Sequence, residues 1–153
     1  MKKYFNIGEI LTQKETGYVG YLAGIFLFET LTLHYYIVPI KKLMTESAIE
    51  NNSPSYEGNL FDPNELSIFE HNYGKLFNLP DNILDVGDIV KDKNSEYKGI
   101  IISILLHQNG INYGMIDYPE KNISEFTYLD HTGVELVEKH YYDESILKEK
   151  SVH

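Results

Sequence analysis

Residues 98–118 read KGIIISILLHQNGINYGMIDY and carry the clearest structural signals in the chain. The β-branched run near its start is too short for a typical helix and predicts a strand over 98–107. Asn109-Gly110 is the strongest hairpin signal, because a type I′ turn needs positive φ at both central residues. The stretch therefore predicts an antiparallel hairpin whose return strand covers 111–118.

Three further short strands flank this hairpin. We predict them at 88–90, 126–129 and 134–138, with the last two joined by a turn over 130–133. Five short strands within about 55 residues, joined by tight turns, are typical of a small antiparallel barrel.

The same pattern occurs earlier in the chain. Residues 5–40 align with residues 84–119 at a shift of 79, with eight identities over 36 positions. The matches fall on turn glycines and on alternating apolar positions, where a shared fold constrains the residue type. We therefore expect a mainly β protein with two related repeats, the first in residues 1–42 and the second in residues 84–140.

Two segments of the second repeat resemble a known fold. Val86-Gly87-Asp88-Ile89-Val90, followed by Tyr97-Lys98-Gly99-Ile100-Ile101, resembles the opening of SH3-like small barrels such as the Tudor and KOW modules. The resemblance covers residues 84–139 and, less closely, residues 5–40. It implies two SH3-like antiparallel barrels in tandem and carries no catalytic residues.

Residues 43–83 form an insert between the repeats, and residues 141–153 form a charged C-terminal tail. Within the insert, Asp62-Pro63-Asn64-Glu65 has the features of a helix start, with Asp as N-cap, Pro at N1 and Glu at N3. We predict a short helix over about 63–73, with an apolar face formed by Leu66, Phe69 and Tyr73.

Composition excludes several classes of function. The chain has 153 residues, with 13 Lys and Arg against 23 Asp and Glu, so its formal net charge is −10. Such a polyanion is a poor ligand for a phosphate backbone, and we expect no nucleic-acid binding. It has no Cys, which excludes disulfides, Cys–zinc sites and a Cys nucleophile.

The chain also shows no targeting signal. Asn6, Gly8 and Glu9 interrupt any apolar segment of a secretory signal. The longest uncharged run of the best membrane candidate, residues 17–28, is shorter than the roughly 20 residues that a spanning helix needs. We expect a cytoplasmic protein without a membrane segment.

No motif names a reaction. Gly17, Gly20 and Gly24 lack the spacing of a phosphate-binding loop and are interpreted as turn or bulge glycines. The densest titratable cluster lies between His131 and Glu144, and we interpret it as a solvated polar face; a metal-dependent enzyme is the alternative. We therefore expect no catalytic residue, no metal site and no cofactor.

A small, acidic, Cys-free and Tyr-rich profile is similar to that of bacterial immunity proteins, which neutralise a toxin domain. Tyr is enriched at interfaces, and an acidic surface favours a basic partner such as a nuclease domain. The residues predicted to bind it are Glu57, Asp62, Glu65, Glu70, Tyr73, Glu135 and Glu138.

Two alternative functions remain at this point. The first is a phage-encoded inhibitor of host defence, which has a similar profile. The second is a reader module that holds a peptide or small ligand in a cleft lined by Tyr97, Tyr113 and Tyr118. A homodimer is also expected to be possible, through pairing of the strand at 98–107 with a second copy.

Overall fold

The protein is described by a computed structural model over residues 5–27, 32–39, 58–70, 79–107, 110–118 and 126–139. These residues form a mainly β, antiparallel structure, which confirms the predicted fold class at that level. The strands are β1 (Ile10–Gln13), β2 (Val19–Leu27), β3 (Leu33–Pro39), β4 (Asn59–Phe61), β5 (Leu66–Glu70), β6 (Ile89–Asp92), β7 (Lys98–His107), β8 (Gly110–Asp117), β9 (Thr127–Asp130) and β10 (Val134–Glu138).

The described part of the chain contains no helix that is long and apolar enough to cross a membrane. Its only regular helical elements are two single 3₁₀ turns, at Pro63–Glu65 and His131–Gly133. One precedes β5 and the other precedes β10, so the two occupy equivalent places in the two halves of the chain.

Each half of the chain has the same strand order. The first half runs β5-β1-β2-β3-β4, and the second runs β10-β6-β7-β8-β9. Among the described residues, β4 does not pair with β5, and β9 does not pair with β10. The sheet is therefore not closed in either half. Residues 59–61 and 66–70, assigned from the sequence to the insert, supply strands that pair with β3 and β1.

The two halves join through one short antiparallel pairing between β2 and β7. Gly24 lies opposite Leu105, Ile25 opposite Ile104, and Phe26 opposite Ser103. Because 104 − 25 is 79, which is the shift of the sequence repeat, Ile25 pairs with its own counterpart. A pseudo-twofold axis therefore passes between these two isoleucines, and all strands belong to one continuous sheet.

The backbone hydrogen bonds repeat between the halves as closely as the strands do. Gly8 N–H donates to the Leu22 carbonyl at 2.8 Å, and Gly87 N–H donates to the Ile101 carbonyl at 2.8 Å. Both glycines have positive φ, 91° for Gly8 and 100° for Gly87, a conformation that favours glycine. In the third strand the structural correspondence differs from the sequence alignment by one residue. Ile37 lies opposite Leu22, and in the second half Met115 lies opposite Ile101, although the sequence alignment matches Ile37 with Ile116.

The predicted strands of the second half lie close to the observed ones. Strands 98–107 and 134–138 have the predicted bounds, and the others differ by one or two residues at an end. The predicted turn over 130–133 contains the second 3₁₀ turn, with Asp130 as its N-cap.

The predicted helix over 63–73 is wrong for the residues that the structure describes. The start signal is real, since Asp62 and Glu65 form the capping box, but only one 3₁₀ turn follows it. From Leu66 the chain is strand β5, because its backbone groups pair with β1, where Leu11 lies opposite Ile68. Leu66 is buried and Phe69 is exposed, so the residues read as one helix face are divided between core and solvent. Residues 71–73 lie outside the described residues.

The strand at 98–107 does not offer an edge to a second copy. β7 pairs with β8 along one edge, and with β6 and then β2 along the other. The dimer predicted from this strand would need one of these ladders to open. The exposed edges lie instead on the outer strands of each half, β4 and β5 in the first and β9 and β10 in the second.

Strand β2 contains a glycine whose lack of a side chain the packing requires. A Cβ at Gly20 would overlap the Val38 carbonyl oxygen of β3 and lie 2.6 Å from Ile37 Cγ2. We expect Gly20→Ala to lower the free energy of unfolding in urea by about 2 kcal/mol, within the range for overpacking. Gly133→Ala is the matched control, since a Cβ there would meet nothing within 4 Å. Equal stabilities for the two variants would contradict this packing.

Candidate protein-binding surface

Two of the acidic residues predicted to bind a partner accept hydrogen bonds within the first 3₁₀ turn. One Asp62 carboxylate oxygen accepts the Asn64 N–H at 2.9 Å, and Glu65 Oε1 accepts the Asp62 N–H at 3.1 Å. Glu65 Oε2 also accepts from the Gln13 side-chain amide at 3.3 Å. Both carboxylates remain exposed, so they close the first 3₁₀ turn and still contribute charge to the surface.

The remaining acidic residues do not join them on one face. Glu135 and Glu138 lie on β10, whereas Asp62 and Glu65 lie just before β5. Strands β10 and β5 end the path β10-β6-β7-β2-β1-β5, five strand spacings apart, or about 24 Å measured along the sheet. Glu70 is the last residue of β5, and the structure describes its backbone but not its side chain. Glu57 and Tyr73 lie outside the described residues.

The three tyrosines predicted to line a cleft lie in different environments. Tyr113 is fully buried, so its ring is not available to a ligand at the surface. Tyr97 is partly buried beside Gly99, and burial raises the pKa of its hydroxyl. Tyr118 is exposed beyond the end of β8.

The Tyr113 hydroxyl instead anchors a buried polar contact. It accepts the Leu84 N–H at 3.0 Å and lies 2.7 Å from His131 Nδ1. Since the phenol proton also needs an acceptor, we assign it to His131 Nδ1, which places the proton of the neutral imidazole on Nε2. The first half has the equivalent Tyr35, whose hydroxyl accepts the Phe5 N–H at 3.3 Å. Pro63 begins the first 3₁₀ turn as His131 begins the second.

An ion cluster lies beside this contact. Lys139 Nζ is 2.6 Å from Asp85 and 2.8 Å from Asp88, and Asp88 is fully buried. Burial by itself lowers the pKa of Lys139, but the hydrogen bonds to Asp85 and Asp88 outweigh it and leave that pKa raised. No three metal-ligating side chains converge within the described ranges. Of the predicted titratable cluster, His140, Asp143 and Glu144 lie outside them.

One face of the sheet around the pseudo-twofold axis carries exposed apolar side chains. Two rows of residues cross it side by side, the first over β4, β3, β2, β7, β8 and β9, and the second over β9, β8, β7, β2 and β3. The first row is Leu60, Tyr36, Gly24, Leu105, Asn112 and Asp130, and the second is Tyr128, Gly114, Ser103, Phe26 and His34. These residues alternate along their strands with the buried Ile25 and Ile104, so they point away from the core. We call the two rows, with Phe126, the central face.

The pseudo-twofold axis relates the two rows, and three of the related pairs are similar in character, whereas Tyr36 corresponds to Gly114 and Asn112 to His34. Leu60 corresponds to Tyr128 and Leu105 to Phe26, so that large apolar side chains occupy the same places. Gly24 likewise corresponds to Ser103.

The side chains of the central face lie flat on a glycine floor. The Phe26 ring lies over Gly24, where a Cβ would be 2.7 Å from Phe26 Cε2. The Tyr128 ring lies over Gly114, where a Cβ would be 3.0 Å from Tyr128 Cε1. Phe126 stacks on Tyr128 with ring centroids 6.4 Å apart and planes 26° from parallel. Because the glycines have no side chains, the aromatic rings lie close to the backbone of the sheet.

The central face is apolar and almost uncharged in a strongly acidic chain. Leu60, Phe126 and Tyr128 are 46%, 49% and 63% exposed. Between the ends of the two rows there is no Lys, Arg, Asp or Glu. The charges stand at the margins, where Asp130 ends one row and Asp62 follows β4. Leu60 lies at one end of the face and the Phe126–Tyr128 pair at the other, with the half-buried Tyr36, Phe26 and Leu105 between them. Exposed apolar side chains with charged residues at the margin are characteristic of protein-binding sites.

The sequence did not predict this face. Its residues come from six strands, and only the pairing of β2 with β7 places the two hairpins side by side. The available signal was the alternation within 98–118, whose polar-side positions Ser103, Asn112 and Gly114 lie on the face.

Comparison of the chain with family models, with curated proteins and with solved structures gave no match. The candidate function is therefore argued from the geometry of the central face and from the charge of the chain.

The buried polar contacts make stability sensitive to alkali. Burial raises the pKa of Tyr113 from its ordinary 10 to about 12. A tyrosine with a raised pKa in the folded state contributes stability that is intact below pH 10 and lost as the pH rises through 12. Lys139, with its raised pKa, acts in the same direction. We expect the free energy of unfolding to fall between about pH 10 and 12.

The Tyr113→Phe variant tests the assignment of the alkaline loss of stability to Tyr113. It removes the hydroxyl that accepts the Leu84 N–H, and we expect a loss of about 1–2 kcal/mol at pH 8. It should also make the alkaline loss of stability less steep. Tyr118→Phe, at an exposed site, is the control and should change neither value. An alkaline slope that is the same in Tyr113→Phe as in the unmodified protein would contradict the assignment.

Proposed function

We propose that each half of the chain is an SH3-like small barrel and that the protein is a tandem of two. Three features support this. Each half has five strands in the order last-first-second-third-fourth, a 3₁₀ turn precedes the last strand, and the segment from Val86 to Ile101 resembles the opening of such barrels. In this proposal, residues 59–70 complete the first barrel.

We propose further that the protein is a non-catalytic inhibitor that binds another protein, most like an immunity protein that neutralises a toxin domain in the cytoplasm. The central face is the observation that carries this proposal, because it presents exposed aromatic side chains on an uncharged floor. A basic partner, such as a nuclease domain, complements the net charge of −10.

Charge and apolar surface have separate roles in the proposed mechanism. The negative charge of the chain attracts a basic partner over a distance and raises the association rate, by 10-fold to about 1,000-fold in steered complexes. Burial of the stacked Phe126 and Tyr128, with Leu60 at the other end of the face, then holds the complex together, since a few aromatic residues carry most of the binding energy of an interface. Docking over a basic active-site cleft excludes the substrate from it.

The acidic residues predicted from the sequence take the steering role in this scheme. Asp62 and Glu65 lie next to β4, at one margin of the central face, and Glu135 and Glu138 lie on β10, away from it. Charge reversal at Glu135 should therefore slow association at low salt with little effect on dissociation. The contributions of Glu57, Glu70 and Tyr73 stay predictions.

The proposal is tested by co-expression. The C-terminal domain encoded by the reading frame adjacent to this gene is expressed in a test cell, with and without this protein. Restored growth together with a purified one-to-one complex is the expected result. Toxicity that this protein does not relieve would contradict the immunity function, and a complex with a host-defence protein instead would favour the phage-encoded inhibitor.

The docking surface is tested with a double variant, Phe126→Ser with Tyr128→Ser. We expect it to bind the partner about 30-fold more weakly or worse, because one aromatic hot spot is worth about 2 kcal/mol. Phe69→Ser is the matched control, since Phe69 is 55% exposed but lies on β5, outside the central face. Isothermal titration calorimetry measures both. Weakening by Phe69→Ser alone would place the interface elsewhere.

A further inference from the structure

A cleft lies under the pseudo-twofold axis, on the opposite side of the sheet from the central face. Its volume is about 550 Å³. The apolar floor is formed by Ile7, Ile25 and Ile104, two of which are the paired isoleucines of the axis. The segment 79–85, which links the two halves, runs along its wall. Clefts of this size at the junction of two structural units are typical small-molecule sites.

The mouth of the cleft is acidic. Among the described residues, Glu9, Asp81 and Asp85 line the cleft and no Lys or Arg does so. Asp85 is already paired with Lys139 at 2.6 Å, and one Glu9 carboxylate oxygen accepts the Asn6 N–H. Asp81 is exposed and forms no ion pair among the described residues. A bound cation would therefore meet one uncompensated carboxylate at the mouth and another nearby.

The shape of the linker holds Asp81 in this place. Asn82 has φ of 59°, the left-handed region that Asn tolerates better than most residues. This turn brings Asp81 and Asn82 to the mouth and lets Ile83 and Leu84 line the wall. The cleft thus combines an aliphatic floor with an exposed carboxylate in its lining.

We propose that this cleft binds a small primary aliphatic amine as its ammonium ion. The alkyl chain lies on the isoleucine floor, and the ammonium group lies at the mouth between Asp81 and Glu9. Burial of the ligand's alkyl chain on the apolar floor favours binding by roughly 25 cal/mol per Å² of apolar surface buried. The carboxylates select a positive head group over a neutral or negative one. Because the cleft faces away from the central face, this ligand does not compete with a partner docked on that face.

The proposal is tested with three probes of equal chain length. Isotope-labelled protein is titrated with n-hexylammonium, hexan-1-ol and hexanoate, and amide chemical shifts are followed. We expect hexylammonium to bind most tightly and hexanoate most weakly, with shifts confined to residues around Ile25, Asp81 and Ile104. Hexanoate binding as tightly as hexylammonium, or no saturable shift with any probe, would overturn the proposal.

The Asp81→Asn variant separates the contribution of the carboxylate charge to binding from the contribution of the apolar cleft. This exposed substitution should leave the fold intact, weaken hexylammonium about fivefold or more and leave hexanol unchanged. Glu135→Gln, a charge removal of the same size on β10, is the control and should affect neither probe. Equal weakening of hexylammonium and hexanol by Asp81→Asn would show that the carboxylate does not select the ammonium group. The assay needs no protein partner, so its failure leaves the proposed inhibitor function untouched.

Discussion

The pairing of β2 with β7 is the contact on which the rest of this structure depends. Only three residue pairs make it, centred on Ile25 and Ile104. Because the two isoleucines are counterparts in the repeat, the pairing creates a pseudo-twofold axis and converts two five-stranded units into one sheet. The central face lies on one side of that axis and the isoleucine-floored cleft on the other. Both features would disappear if the two halves were joined only by the linker.

The halves agree in backbone and differ in buried polar chemistry. Glycines of positive φ and their hydrogen bonds recur in both halves, which is what the fold itself requires. The second half adds His131 against Tyr113, and Lys139 against Asp85 and Asp88. The Lys139 side chain is 40% exposed, so water screens its attraction to the two carboxylates and the ion pairs contribute little to stability. Alkaline sensitivity is not confined to this half, because burial raises the pKa of Tyr18 in the first half as it raises that of Tyr113 in the second.

Sequence patterns predicted local features well. The β-branched run and the turn signals predicted the bounds of β7 and β10, and the 79-residue repeat predicted two related halves. The capping motif at Asp62 was also identified correctly, but its consequence was not. Capping favours a helix only over the first turn, and the free edge of β1 supplied hydrogen-bond partners that made residues 66–70 a strand. Tyr113 was assigned to a cleft because aromatic content does not distinguish core from surface.

What the sequence determined by itself is therefore local and compositional. Alternation, turn glycines and the 79-residue shift follow from side-chain periodicity and backbone conformation, and the net charge of −10 follows from a count. Tertiary structure decided which surfaces exist. The central face collects residues from six strands between positions 24 and 130, and the described acidic residues among those chosen from the sequence fall at two separate ends of the sheet. Pairing between distant strands is set by backbone hydrogen bonds and core packing across the whole chain, which no local pattern records.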